Sequence, residues 1–229
     1  MSRASTTCDH EGAEPPADCS LCPRLVAFRA DNQAAQPDWY NGAVHSFGDD
    51  CEAELLIIGL APGMQGANRT GRPFTGDYAG DLLYATLLKF GFARGEYAAR
   101  ADDGLVLENT LITNAVRCVP PANKPTGKEI ATCRPFLAAR ISSLPRLRLI
   151  IALGRIAHDS TLSALELRRA AFPFAHAACH AVGTNLTMID SYHCSRYNTN
   201  TGRLTPEMFE AVFAAARQRL DEGGGLKSG

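Results

Sequence analysis

Four short apolar runs interrupt an otherwise mixed pattern of hydrophobic and polar residues. They lie at residues 54–59, 111–117, 148–154 and 185–190. Continuous apolar runs of this length are typical of strands that are buried on both faces of a parallel sheet. The pattern therefore predicts a central sheet with four parallel strands.

Helical periodicity separates these runs. Leucines at 82, 83, 87 and 88 give one apolar face to a helix predicted over 79–90. Thr126 and Glu129 have the spacing of a capping box, which predicts a helix from there to about 142. Two further helices are predicted. One spans 156–170. The other has Thr205 as its N-cap and Pro206 at its first position, and it runs to about residue 221. Alternating strands and helices predict an α/β fold, a three-layer α/β/α sandwich around the four-stranded parallel sheet.

The loops at the carboxyl ends of the strands carry the candidate chemistry, since ligands of such sheets bind there. These loops are 59–78, 114–125 and 190–204. The first is long and rich in glycine, which lets the main chain come close to a ligand. Ligand binding is therefore predicted where the three loops converge.

Each polar or aromatic candidate in these loops also has a structural interpretation. Phe74 offers a flat apolar face, or packs in the core. Asn114 offers a donor and an acceptor to the edge of a nucleobase, or satisfies local backbone. Asp77 faces the ligand, or caps the helix near Ala79. His193 is the one histidine in a candidate site loop and is placed to donate to a developing anion.

Length and charge limit the classes of function. With 229 residues the chain is expected to form a single domain over 19–222, between flexible tails at 1–18 and 223–229. The net charge of −1 means that any nucleic-acid binding needs local positive charge. Phosphate contacts are predicted for Arg69, Arg72, Arg196 and Arg203.

The sequence also predicts a location. It has no apolar run near the ~20 residues of a membrane helix. The N-terminus lacks the apolar core of a signal peptide. We therefore expect a cytoplasmic protein with no membrane partner.

Cysteines form two pairs in the sequence, Cys19 with Cys22 and the more widely spaced Cys118 with Cys133. A lone CxxC is compatible with zinc, a redox pair or coincidence. Four cysteines in two pairs favour a four-thiolate site, and both zinc and an iron–sulfur cluster fit this ligand set.

Five segments together resemble the uracil-DNA glycosylase superfamily, and most closely its iron–sulfur-containing family 5, the B type. They are CSLCPRL at 19–25, GLAPGMQGANRTGRPFTGD at 59–77, TNAVRCVPP at 113–121, Cys133, and YHCSRYNTNTGRLT at 192–205. They occur in family order over nearly the whole chain. The resemblance implies a [4Fe-4S] cluster held by Cys19, Cys22, Cys118 and Cys133.

The resemblance also implies a monofunctional DNA glycosylase that acts on double-stranded DNA as a monomer, associated with the nucleoid. A damaged base such as uracil or hypoxanthine would flip out of the stack, and hydrolysis of its N-glycosidic bond would leave an abasic site. The catalytic candidates are Asp77, which would position water or stabilise the oxocarbenium ion, and His193, which would stabilise the base anion. The substrate-binding candidates are Ala61, Gly63, Phe74 and Asn114. The DNA-binding candidates are Arg69, Ser195, Arg196, Tyr197, Asn198 and Arg203, with Arg196 or Tyr197 filling the vacated stack.

One departure from other members of the superfamily concerns the first motif. Several relatives have an acidic or amide residue there, whereas this chain has the apolar Leu60 and Ala61, as is typical of family 5. Water activation therefore has to come from another residue. Two alternatives to the enzyme are a non-catalytic iron–sulfur DNA-binding module of the same fold and a zinc or redox protein.

Overall fold

The structure is a computed structural model that describes residues 12–224. Residues 1–11 and 225–229, which make up most of the two predicted tails, lie outside the described part of the chain. None of the described helices is long and apolar enough to cross a lipid bilayer.

The strands form one six-stranded sheet and a small hairpin. The sheet has the order β1-β5-β2-β6-β8-β7, in which the four central strands are parallel and the two edge strands are antiparallel. In chain order the strands are β1 (Phe47–Gly48), β2 (Leu55–Gly59), β3 (Ala93–Arg94), β4 (Val106–Leu107), β5 (Thr110–Asn114), β6 (Leu149–Leu153), β7 (Cys179–Ala181) and β8 (Thr187–Ser191), and β3 and β4 form the hairpin.

The predicted α/β fold with four parallel strands is confirmed, and the sheet gains an edge strand on each side. Strand β1 lies outside the four apolar runs. The edge strands have two and three residues, too few to show an alternating pattern. Strand β5 ends at Asn114, earlier than predicted, so Ala115 to Arg117 belong to the following loop.

Helices cover both faces of the sheet. Helix α5 ends before the predicted residue 170 because Glu166 has a left-handed backbone with φ of 58°. In chain order the helices are α1 (Pro23–Ala35), α2 (Ala67–Thr70), α3 (Tyr78–Lys89), α4 (Gly127–Ser142), α5 (Arg155–Ala164), α6 (Arg196–Asn200) and α7 (Pro206–Gly224).

Alternate residues of the central strands supply two separate cores. Leu55 and Ile57 of β2 face α3 and α7, where they pack with Leu83 and Phe213. Leu56, on the opposite face of β2, packs in the second core with residues of α4 and α5. This is the predicted three-layer arrangement.

The predicted helix caps are present. Thr126 Oγ1 accepts from Glu129 N at 3.2 Å, and Glu129 Oε2 accepts from Thr126 N at 2.7 Å, which completes the capping box. Thr205 Oγ1 accepts from Met208 N at 3.2 Å at the start of α7. Both helices therefore begin where the sequence predicts.

The described part of the N-terminal segment is bound to the domain. Ala13 is buried, and the carboxylate of Glu14 lies 2.6 Å from Arg117 and 2.7 Å from Arg140. The predicted flexible tail extends to residue 18, whereas these contacts anchor the chain from Ala13 onward. Two buried arginines need an anionic partner, and Glu14 supplies it.

Candidate active site

All four parallel strands end at one cleft of about 700 Å³. Gly59 ends β2, Asn114 ends β5, Leu153 ends β6, and the chain beyond β8 brings His193 to the same place. The sequence predicts this convergence for three of the four strand ends. The lining includes Leu60, Ala61, Pro62, Gly63, Gln65, Phe74, Gly76, Asp77, Tyr78, Ala79, Asn114, Asn123, Leu153, Gly154, Arg155, Ile156, Ala157, His193, Ser195 and Arg196.

Gly59 allows Asn114 and Phe74 to meet at the floor of the cleft. A Cβ at Gly59 would lie 2.4 Å from Asn114 Oδ1 and 2.5 Å from Phe74 Cζ. Any other residue at this position would displace one of these side chains. The glycine after the first buried strand thus has a packing reason that the sequence alone does not show.

Asn114 carries an unused acceptor. The residue is 2% exposed, and its Oδ1 atom has no hydrogen-bond partner among the described residues. Leaving a buried amide oxygen unpaired costs on the order of 1–3 kcal/mol. Because Asn114 lines the cleft, a donor on a bound ligand would satisfy this oxygen.

Phe74 forms the wall beside this amide. Its backbone has a φ of 53°, a left-handed conformation that is rare for a bulky residue. Its ring lies 5.9 Å from the His193 ring, with an interplanar angle of 26°. Phe74 thus belongs both to the core beneath β2 and to the cleft. The two interpretations that the sequence offers as alternatives therefore both hold for its position.

Asp77 also combines two alternatives. It is the N-cap of α3, and its Oδ1 accepts from Gly80 N at 3.1 Å. A Cβ on Gly63 would lie 2.6 Å from Asp77 Oδ2, and a Cβ on Gly66 would lie 2.2 Å from it. One oxygen therefore caps the helix while the other faces the glycine loop and the cleft. Burial raises the pKa of Asp77, and backbone hydrogen bonds from Gly80 and Ala79 offset part of this rise.

His193 is neutral at physiological pH. Burial lowers its pKa to about 4, although the residue as a whole is only partly buried. Its backbone oxygen accepts from Asn198 Nδ2 at 2.8 Å, which holds the loop that carries it. A neutral imidazole brings a hydrogen-bond donor to the cleft without a full positive charge.

One wall of the cleft is absent from the sequence prediction. The first turn of α5, with Arg155, Ile156 and Ala157, lines it together with Gly154. Gly154 has a φ of 95°, and a Cβ there would lie 3.4 Å from the Cβ of His193. The glycine at the end of the third apolar run was the available signal. Asn123, from the loop after β5, is a second lining residue that was missed.

Helix α6 stands at the mouth of the cleft. Ser195 caps it by accepting from Asn198 N at 3.4 Å, and Arg196 stacks over the Tyr78 ring at 5.3 Å. Tyr197 is 73% exposed, the most exposed of the large apolar side chains described. The sequence predicts this segment as a polar loop, but five of its residues are helical.

The predicted phosphate-binding arginines have different surroundings. Arg69 is exposed but donates to the carbonyl oxygens of Gln65 and Gly76. Arg203 is exposed and lies over the Tyr192 ring at 4.6 Å. Arg72 is only 5% exposed and pairs with Asp103, so its prediction as a phosphate contact is wrong. Burial between aromatic rings puts this cation out of reach of DNA.

Cys19, Cys22, Cys118 and Cys133 line a second, small cavity away from the cleft. They come from the segment before α1, the loop after β5, and α4. Arg29 Nη1 and the Arg117 backbone N–H each approach a sulfur at 3.4 Å. Burial raises the pKa of the Cys118 thiol to about 12.

Comparisons with known proteins agree with this architecture. The sequence profile of the family described as the uracil DNA glycosylase superfamily matches residues 45–217. The chain is 44% identical over 206 residues to a type-5 uracil-DNA glycosylase of Thermus thermophilus, covering 87% of this chain and 93% of the relative. Type-5 uracil-DNA glycosylases of Mycobacterium bovis and Pyrobaculum aerophilum are 40% and 36% identical, each over 87% of this chain and over 77% and 88% of their own lengths.

Proposed function

Because the chain belongs to the uracil-DNA glycosylase superfamily, and within it to the type-5 family, we propose that it hydrolyses the N-glycosidic bond of uracil in double-stranded DNA and leaves an abasic site. The observation that carries the proposal is the unpaired Asn114 amide oxygen, which lies beside Phe74 at the floor of the cleft. The proposal assigns roles to the other groups around it.

The base is held by stacking and by its polar edge. Phe74 offers a flat face, and Asn114 Oδ1 accepts from the imino N–H of uracil. Uracil has this donor next to a carbonyl oxygen, to which the amide nitrogen of Asn114 donates in turn. Because such a base fits only when it leaves the duplex, the nucleotide has to flip into the cleft.

The leaving base is stabilised by His193. As the glycosidic bond breaks, negative charge develops on the base and positive charge on the sugar. The neutral imidazole, whose pKa is lowered to about 4 by burial, donates to the O2 oxygen of the departing base. Donors fixed in advance in a partly dry site are worth several kcal/mol to such a transition state.

Water is positioned by Asp77. Leu60 and Ala61 have no polar side chain for this task, whereas Asp77 lines the cleft and its Oδ2 lies against the glycine loop. The carboxylate accepts a proton from water or stabilises the sugar cation. General-base catalysis contributes ~10²–10⁴-fold.

Helix α6 meets the duplex. Tyr197 is the exposed flat side chain at the mouth of the cleft and fills the gap that the flipped base leaves. Arg196 is held over Tyr78 and contacts phosphate instead. Ser195 caps the helix, and the Asn198 side chain donates to the His193 carbonyl oxygen. These two hydrogen bonds hold the helix in place. Arg69 and Arg203 lie exposed on the protein surface and are proposed as outer phosphate contacts.

The four cysteines are proposed to hold a [4Fe-4S] cluster. A single zinc ion at ~2.3 Å from each sulfur needs sulfurs on the order of 3.8 Å apart. Within residues 12–224, no three of these four sulfurs lie within 4.8 Å of one another, which favours a larger cluster. Buried Arg29 and Arg117 supply positive charge next to the thiolates. The cluster supplies structural cross-linking when bound and takes no part in the chemistry.

The substrate range extends beyond uracil in this proposal. Apolar Leu60 and Ala61 leave that side of the base pocket without a polar group. A pocket that makes few hydrogen bonds to the polar edges of the base discriminates less between bases. We therefore propose that hypoxanthine in double-stranded DNA is also removed.

Single-turnover assays test these proposals. Duplexes with one uracil, hypoxanthine or oxidised pyrimidine are incubated with excess protein, and abasic sites are cleaved with alkali. We expect release of uracil and hypoxanthine. If the protein binds the uracil duplex but releases no base, the alternative of a non-catalytic DNA-binding module is correct. Release confined to uracil contradicts the broad range alone.

A further inference from the structure

The segment between β3 and β4, residues 95–105, lies outside the cleft, and no role was predicted for it. It packs against the turn from Arg72 to Asp77, which presents Phe74 and Asp77 to the cleft. Hydrogen bonds and a ring contact join the two segments.

A buried ion pair joins them. Arg72 Nη1 and Nη2 donate to the two carboxylate oxygens of Asp103 at 2.8 and 2.7 Å. Both side chains are almost fully buried, at 5% and 0% exposed. Asp103 also accepts from the backbone N–H groups of Ala98 and Leu105, so the whole hairpin segment converges on this carboxylate.

Arg72 connects Asp103 to the turn. Its Nε donates to Thr75 Oγ1 at 2.7 Å. Its guanidinium lies within 5.0–5.9 Å of the centroids of the Phe47, Tyr84 and Tyr97 rings. A guanidinium that is bidentate on one side and enclosed by rings on the others has one position available to it.

Two tyrosines hold the backbone of the same turn. Tyr84 Oη donates to the Pro73 carbonyl at 2.6 Å, and Tyr97 Oη accepts from Gly76 N at 3.3 Å. Their rings stack on each other at 4.5 Å. Hydrogen bonds thus reach the turn on both sides of Phe74.

Phe74 needs such restraint. A left-handed φ of 53° is strained for phenylalanine and persists only where its surroundings enforce it. Arg72, Asp103 and Tyr97 form a brace on the turn. Without this brace, the turn would relax toward an ordinary backbone. The ring would leave its place beside Asn114, and Asp77, three residues on, would shift with it.

We propose that Arg72, Asp103 and Tyr97 are positioning residues that hold Phe74 and Asp77 in the geometry needed for base release. This inference rests on the proposed glycosylase function. None of the three residues lines the cleft. They act by fixing the turn between the hairpin and helix α3.

The test compares two brace variants with a matched control. Asp103→Asn weakens the buried ion pair, and Tyr97→Phe removes one hydroxyl while keeping the ring. Glu108→Gln is the control, since Glu108 pairs with Arg94 at the exposed base of the same hairpin. For each we measure single-turnover uracil release, affinity for a duplex with a tetrahydrofuran abasic analogue, thermal unfolding, and hydrogen exchange of residues 73–80.

We expect Asp103→Asn to slow base release by about tenfold or more and Tyr97→Phe by about threefold to tenfold, since small misplacements of catalytic groups have large effects on rate. Affinity for the abasic duplex should change by less than about twofold, and exchange should rise in 73–80. Glu108→Gln should match the unsubstituted protein in every measurement.

Two results overturn the inference. One is a lower unfolding temperature in the brace variants with rates equal to Glu108→Gln, which indicates a purely structural role. The other is unchanged exchange over 73–80 in Tyr97→Phe, the variant expected to fold normally. If the unsubstituted protein releases no uracil, the proposed function fails, and hydrogen exchange still decides whether the brace holds the turn.

Discussion

Single side chains in the cleft have two tasks at once. Asp77 caps a helix with one oxygen and faces the cleft with the other. Phe74 closes the core and walls the pocket. Where a sequence pattern offers a structural and a functional interpretation of one residue, both can hold, because the two ends of a side chain have different neighbours.

Asp77→Asn should separate these tasks. Asparagine caps helices about as well as aspartate, and it removes a charge that is poorly solvated here, as the raised pKa shows. The ionised carboxylate destabilises the fold above its ordinary pKa, so the free energy of unfolding of the variant at pH 7.5 should not decrease. Single-turnover base release should fall at least tenfold.

Near-normal base release by this variant would rule out the assignment of Asp77. The pH profile gives a second check. Base release in the unsubstituted protein should decline on the acid side, at a pH above the ordinary pKa of aspartate, as Asp77 becomes protonated. The variant should lack this decline.

His193→Ala should slow base release by about 10²-fold while DNA affinity is retained, because the lost donor acts only on the departing base. With a pKa lowered to about 4, His193 stays neutral from pH 5 to 8 and should produce no titration in the rate over that range. A variant that changes affinity alone would contradict the role.

At the scale of elements, helix α6 converts a polar stretch into a rigid support. Its cap, Ser195, and the bond from Asn198 to the His193 carbonyl link His193 to the exposed surface at the mouth of the cleft. In the proposed mechanism, the residues that enter the duplex are thereby tied to the residue that stabilises the leaving base.

Tyr197→Ala should weaken binding to a uracil duplex by about fivefold to 150-fold, the equivalent of ~1–3 kcal/mol for one aromatic stacking contact. Arg196→Ala should instead reduce the dependence of log Kd on log salt by about one unit. Fluorescence anisotropy at several salt concentrations measures both. If Arg196→Ala shows the larger, salt-independent loss, the two assignments are reversed.

At the scale of the molecule, buried ion pairs fasten its peripheral segments. Glu14 and Asp103 both have lowered pKa values. Hydrogen bonds from Arg72 are the largest cause for Asp103. For Glu14, burial raises the pKa, but the attraction to Arg117, the hydrogen bond with Ser46 and the interactions with Arg140 together outweigh it. Carboxyls with lowered pKa stabilise the fold above their unfolded pKa of about 4, and this contribution is lost as the pH falls further. The free energy of unfolding should therefore drop steeply below about pH 4 in denaturant titrations.

Cys133→Ser tests the cluster at the same scale. The variant should lose iron, sulfide and the visible absorbance band, together with several kcal/mol of stability, since metal binding couples to folding. Cys179→Ser, at an exposed cysteine outside the cavity, is the control. A protein that contains zinc and no sulfide would contradict the cluster and favour the zinc alternative.

The sequence by itself determines the four parallel strands, helices α3, α4, α5 and α7, and most of the cleft. Continuous apolar runs can only be buried between two layers, and the loops after such strands meet at one edge. The roles of Asp77, Asn114 and His193 remain predictions, but their convergence in one cleft follows from that topology.

Only the tertiary structure decides which charges are accessible. Arg69 and Arg72 stand close together in one glycine-rich motif, yet Arg69 is exposed and Arg72 is sealed by Asp103 and three rings. The brace from residues 95–105 is likewise invisible in the sequence, and Gly154 is the one sequence signal of the wall supplied by α5. They depend on contacts between segments far apart in the chain, and no local pattern encodes such contacts.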